Sequence, residues 1–114
     1  MADVSAKELI NESKAGIRKI FGKHQKLGQA FGGVASAALE EAHLTVKVKE
    51  LIAVGIAVQA GCDFCVAHHV EECIKAGATE EEIAEACGVA VLMGGGPALM
   101  HGGMAMEMVE ELKK

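Results

Sequence analysis

No stretch of this chain alternates apolar and polar residues in the two-residue rhythm of a strand. Apolar residues recur instead at helical spacing from one end to the other. An all-helical fold follows, cut into segments by glycines, by N-capping side chains and by a single proline.

Ser5 with Glu8 three residues on has the form of a capping box. It predicts a first helix from about Ala6 to Phe21, with Leu9, Ile10, Ile17, Ile20 and Phe21 inward and Gly22 ending it. The segment from about Gln25 to Ala42 predicts a second helix that buries Leu27, Phe31, Val34 and Leu39, in spite of Gly28, Gly32 and Gly33. Thr45 opens a third, from about Val46 to Gln59. Val48, Leu51, Ile52, Val54, Ile56 and Val58 make it apolar almost all round, the mark of a central helix. Gly61 supplies the break. A fourth helix begins near Cys62 and ends near Ala76, where Gly77 suits the left-handed position. Thr79 and Glu82 form a second capping pattern for a fifth helix to about Met93, with Ile83, Ala86, Cys87, Ala90 and Val91 inward. Gly94-Gly95-Gly96 interrupts the chain, and Pro97 suits the first turn of a sixth helix to about Leu112. The expectation is a bundle of about six helices with short connections, one domain over residues 1–114.

Composition narrows what such a bundle can do. Hydrophobic residues make up 51% of the chain but aromatics only 3%, so the core must be aliphatic. The formal charge is -5, with no basic block and no interleaved aromatics, which removes the basis for nucleic-acid binding. No segment approaches the roughly 20 apolar residues of a membrane span. Met1 to Glu8 lacks the charged-then-apolar form of a secretory signal, so a cytoplasmic protein is expected. In that compartment four cysteines point to reactive, metal-binding or buried thiols rather than a structural disulfide framework.

The chemistry concentrates in Ala60-Gly61-Cys62-Asp63-Phe64-Cys65-Val66-Ala67-His68-His69. On a helix, residues three and four apart share a face, so Cys62, Cys65 and His69 form one stripe. Two thiols at a helix N-terminus, where unpaired N–H groups favour thiolate, are suited to thiol–disulfide chemistry. The same three residues are also three of the four ligands of a zinc site, although no second ligand pair exists elsewhere in the chain. Helix-dipole reasoning makes Cys62 the more exposed and more acidic thiol, while the i+4 spacing puts His69 beside Cys65.

Glu50 sits on the otherwise apolar third helix. If the chain reverses at Gly61, Ala60 back to Glu50 is about 15 Å and Cys62 on to His69 about 10 Å, leaving carboxylate and imidazole level within about 5 Å. A carboxylate so placed orients the histidine as a proton relay toward Cys65. A solvated Glu50 beside Lys47 and Lys49 is the alternative.

Glu50, eleven residues, then Cys62-x-x-Cys65-x-x-x-His69 resembles the signature of the alkylhydroperoxidase D-like group of the carboxymuconolactone decarboxylase family. The flanking runs, Thr45 to Val54 and Cys73 to Ile83, resemble it too, so the resemblance covers about residues 25–110. It implies an all-α fold assembled as homo-oligomers, trimers or hexamers. It implies that Cys65 attacks a hydroperoxide and becomes a sulfenic acid, and that Cys62 resolves it to a disulfide. Glu50 and His69 would relay the proton, and an external dithiol or redox protein would restore the thiols. No cofactor and no bound metal is called for. The chain departs from the family's peroxidase prototype in carrying Phe64 where that protein has a second histidine just before the second cysteine. The family's lactone decarboxylases lack the cysteine pair. A zinc-binding protein, or an oligomer of the same fold without turnover, are the competing readings.

The other chemistry-bearing residues read as structure. Cys73 and Cys87 fit a core. Met100, Met104 and Met108, with Met93 and Met106 nearby, fit a core or a subunit interface. His101 reads as a satisfied or exposed side chain, and His24 and His43 carry no partner pattern.

Overall fold

The computed structural model describes residues 5–114; Met1 to Val4, the start of the segment read above for a leader, lie outside the described residues. Six helices follow in order: α1 (Ala6–Lys23), α2 (Gln25–Leu39), α3 (Val46–Ala60), α4 (Asp63–Lys75), α5 (Glu80–Gly94) and α6 (Gly96–Lys113). No strand occurs among the described residues, so the helical reading holds.

The caps explain most boundaries. Thr45 Oγ1 accepts from the Val48 N–H, and at Thr79 both halves of the capping box form, Thr79 N–H to Glu82 Oε1 at 2.9 Å and Glu82 N–H to Thr79 Oγ1 at 3.1 Å. Ser5 Oγ accepts from the Glu8 N–H as expected. Its second partner, however, comes from the far end of the chain. Glu111 on α6 accepts from the Ser5 hydroxyl at 3.0 Å, the Ala6 N–H at 2.7 Å and the Lys7 N–H at 3.2 Å. A carboxylate on the orphan N–H groups of a helix start is a favourable cap.

Three boundaries differ from expectation. Gly22 does not end α1; the chain turns one residue after Lys23, at His24, with φ -138 and ψ 74. The second helix stops at Leu39 rather than Ala42, and α5 runs into the triple glycine, with only Gly95 (φ 67) breaking it. An α-helix accepts a glycine at modest cost when neighbours support it, so a glycine alone is a weak stop.

The core lies between α3, α4, α5 and α6, with the start of α1 against it. Val54, Val58, Val66, Val70, Ile83, Met108 and Val109 are fully buried, each contributing about 1.5–3 kcal/mol. Cys73 and Cys87 are in the same core, as expected. The methionine stripe divides: Met104 and Met108 are buried, while Met100 and Met93 face out.

The apolar faces of α1 and α2 are where the burial expectation fails. Ile17, Ile20, Leu27, Phe31 and Val34 are exposed, and no residue of α2 is buried. Helix α2 leans on α1, with the Phe21 and Phe31 rings 6.2 Å apart, and touches α3 lightly, while α1 packs on α4. Periodicity marks an apolar stripe but carries no information about what covers it. Likewise α3 is central on one side only: Val48, Ile52 and Ile56 line an open apolar groove of about 430 Å³ against Val89 and Met93 of α5.

Candidate active site

The α3–α4 reversal builds the site. Gly61 takes the left-handed conformation (φ 70, ψ 32), and its N–H bonds back to the Ala57 and Val58 carbonyls at 3.0 and 3.2 Å. The Cys62 N–H reaches the Ala57 carbonyl at 3.2 Å. These bonds close the end of α3 and turn the chain so that α4 runs back along it.

Cys62 is the N-cap of α4 rather than its first helical residue. Its sulfur stands where a serine or threonine oxygen commonly would, accepting from the Cys65 N–H at 3.3 Å. Cys62 and Cys65 are joined as a disulfide, with Cα atoms 5.2 Å apart. Cys65 is the exposed member and Cys62 is only half-exposed, the reverse of the helix-dipole expectation. The reason is local: the capping geometry turns the Cys62 sulfur back toward the helix backbone, while Cys65 sits one turn on, on the outer face.

Glu50 is the one buried charged residue among those described, 4% exposed, in the middle of α3. Its Oε1 lies 2.7 Å from His69 Nδ1 on α4. With a carboxylate as partner, Nδ1–H donates, and Nε2 is left without a protein partner among the described residues. Lys47, a possible companion for Glu50 in sequence, instead pairs with Glu82 across to α5 at 2.9 Å. The structure thus brings Glu50 to His69, joins Cys62 to Cys65, and sets both pairs on one helix hairpin.

His68 packs its ring edge-on against His69, centroids 4.7 Å apart. Burial, and then the neighbouring His69, push its pKa below the usual histidine range. Both effects favour its neutral form. Burial also pushes the Cys73 thiol up to about 12 and raises Cys87, so neither is a thiolate in the fold. Phe64, between the two cysteines, leaves 43% of its surface exposed. Among the described residues no group of three or more His, Cys, Asp or Glu side chains is arranged to hold a metal ion. No helix of the described residues is long and apolar enough to cross a membrane.

One residue that the sequence reading set aside belongs beside this turn. His101, on α6, lies against Gly61 and reaches Asp63, with Nε2 3.4 Å from Asp63 Oδ1. Nothing in the spacing between positions 63 and 101 signals the contact, which depends on how α6 crosses the end of the α3–α4 hairpin.

Residues 25–107 match the carboxymuconolactone decarboxylase family. An uncharacterized protein of Cupriavidus necator is 43% identical over 73% of this chain and 74% of its own length. An uncharacterized protein encoded in the cox locus of Paracoccus denitrificans is 30% identical over 98% and 97%. Among solved structures, a carboxymuconolactone decarboxylase family protein of Legionella pneumophila superposes with a TM-score of 0.93 at 36% identity, covering 96% of this chain and 97% of that one. A Thermotoga maritima protein of the same family, suggested to take part in an antioxidative response, gives 0.82 at 29% identity, covering 91% and 89%.

Proposed function

The chain belongs to the carboxymuconolactone decarboxylase family, and on that footing we propose that it is a thiol-dependent oxidoreductase of the alkylhydroperoxidase D-like kind. It reduces hydroperoxides with the Cys62–Cys65 pair and a Glu50–His69 proton relay. The observation that carries the reading is the buried Glu50 carboxylate 2.7 Å from His69 Nδ1, on the hairpin whose turn holds both sulfurs.

The chemistry balances within these residues and one external dithiol. His69 takes the Cys65 thiol proton through Nε2, and Glu50 stabilises the resulting imidazolium. The thiolate attacks one peroxide oxygen, the O–O bond breaks, and the departing alkoxide takes the proton from His69 as an alcohol. Cys65 is left as a sulfenic acid. Cys62 gives its proton to His69 and attacks the Cys65 sulfur; hydroxide leaves, recovers that proton and departs as water. The product of that step is the Cys62–Cys65 disulfide. An external dithiol or redox protein returns it to two thiols by exchange. The exposure of Cys65 supports its role as the attacking sulfur in peroxide cleavage, and also as the sulfur that meets an incoming disulfide.

Phe64 favours a second substrate class at the same site. An exposed ring, where the family's peroxidase prototype has a histidine, offers an apolar contact to a disulfide-bearing partner and no further proton donor. The reading is a cytoplasmic enzyme working as a homo-oligomer. Ile52 and Ile56 of α3 and Val89, Leu92 and Met93 of α5 form an exposed apolar face of the kind that a second copy covers.

The test is peroxide consumption by the reduced protein with dithiothreitol. Cys65→Ser should abolish it, and Cys62→Ser should leave a sulfenic acid on Cys65 that dimedone captures. Full consumption by Cys65→Ser would end the proposal.

A further inference from the structure

The Cys62–Cys65 turn carries a charge that works against its chemistry. Asp63 is the first residue of α4, next to Cys62 and in the same helical turn as Cys65. A carboxylate there suits the helix N-terminus, yet it disfavours a thiolate in that turn by like-charge repulsion.

His101 answers that charge from another element. Its Nδ1 lies 3.0 Å from the Pro97 carbonyl, one turn back on α6, and its Nε2 lies 3.4 Å from Asp63 Oδ1. The ring also rests on the turn itself: its Cε1 and Nε2 atoms are 3.5 and 3.6 Å from where a Gly61 Cβ would stand. Nδ1 is engaged by the Pro97 carbonyl while Nε2 stands within ion-pair range of the aspartate, so a ring that carries both protons sets a cation against that carboxylate. The Pro97 bond fixes the ring with Nε2 toward the aspartate. Asp63 is 45% exposed and His101 31%, which leaves the pair open to solvent screening and its influence short-ranged.

We infer that His101 is a positioning residue of the sulfur site: by pairing with Asp63 it offsets the carboxylate beside the two thiols and sets how much thiolate the reduced Cys62–Cys65 pair holds. This rests on the redox reading above. It gives the turn a second imidazole, one paired with the residue that follows Cys62, in a chain that carries Phe64 next to Cys65.

The experiment compares wild type, His101→Gln, His101→Lys, Asp63→Asn and the double variant His101→Gln/Asp63→Asn, each pre-reduced and checked for native helicity. The readout is the rate of iodoacetamide alkylation at pH 6, which follows the thiolate fraction of the reduced pair. Buried Cys73 and Cys87 do not interfere, because burial raises both thiols. His101→Gln should slow alkylation about threefold, the scale of one screened charge at short range. His101→Lys, which keeps a cation, should hold the wild-type rate. Asp63→Asn should speed alkylation about threefold, and adding His101→Gln to it should change the rate far less than in the wild-type background. A wild-type rate in His101→Gln, or an equal effect of that change with and without Asp63, would overturn the inference. Neither result touches the proposed function, which falls only if Cys65→Ser still consumes peroxide.

Discussion

Oε1 of Glu50, in the middle of α3, lies 2.7 Å from Nδ1 of His69, on the antiparallel α4. The carboxylate is nearly sealed from solvent while the histidine is partly open. A buried acid that holds the inner nitrogen of an imidazole leaves the outer nitrogen as the working one. That arrangement fixes the tautomer, and it also makes the acid costly to remove.

The first expectation concerns the relay. His69→Gln should lower peroxide turnover with dithiothreitol by about two orders of magnitude, the usual loss for a general acid–base group. Reversible oxidation of Cys62 and Cys65 by diamide should persist. Stopped-flow peroxide consumption and alkylation mass shifts check the two halves separately.

The second separates chemistry from stability at the same pair. Glu50→Gln keeps the shape and a hydrogen-bonding group, so it should lose turnover with a small change in urea midpoint. Glu50→Ala leaves a gap and an inward imidazole nitrogen without its partner, and should cost about 1–3 kcal/mol as well. Urea unfolding followed by helical circular dichroism distinguishes them.

Thiol accessibility gives the third. The chain has four cysteines, of which Cys73 and Cys87 are buried with raised thiol pKa. In the reduced folded protein, Ellman's reagent at pH 8 should titrate the Cys62–Cys65 pair promptly and the other two only after denaturant is added.

The fourth follows from Glu111. Partial burial opposes its ionisation, but the Ala6 and Lys7 N–H groups, the Ser5 hydroxyl and the Lys7 charge prevail, so its carboxyl sits below its ordinary value of 4.5. A depressed acid contributes stability that is fully present above the unfolded value and is lost as pH falls through the folded one. Wild type should therefore lose Tm on acidification below about pH 4.5 faster than Glu111→Gln. At pH 7 the variant should melt about 3 °C lower, as suits a solvent-screened cap. Differential scanning calorimetry across pH 3–7 reads both.

Two glycines make a fifth, paired test. Gly61→Ala meets no clash, its nearest contact being ordinary, but it forces an alanine into φ 70 and should cost about 1–2 kcal/mol. Gly16→Ala, in mid-helix with open space around it, should stabilise by about 0.5–1 kcal/mol. Opposite signs in urea unfolding would show that the turn, rather than glycine content, limits stability.

The sequence by itself determined the local features. Capping side chains at Thr45 and Thr79, the left-handed glycines Gly61 and Gly77 and the helical period of the apolar residues placed six helices within a few residues of their observed ends. These signals act over one or two turns, and so does the spacing that aligns Cys62, Cys65 and His69. Glu50 was within reach of the same reasoning, because a tight hairpin converts sequence distance into position by helix rise alone. Only the tertiary structure decided the rest. It left Ile17, Phe31 and Val34 uncovered, since an apolar stripe does not name the surface that packs on it. It turned the Cys62 sulfur inward and Cys65 outward through a capping bond. It brought His101 to Asp63 and Glu111 to Ser5, pairs separated by more than two whole helices or by most of the chain, because the path of α6 is set by packing summed over the whole bundle and no local rule encodes where it crosses.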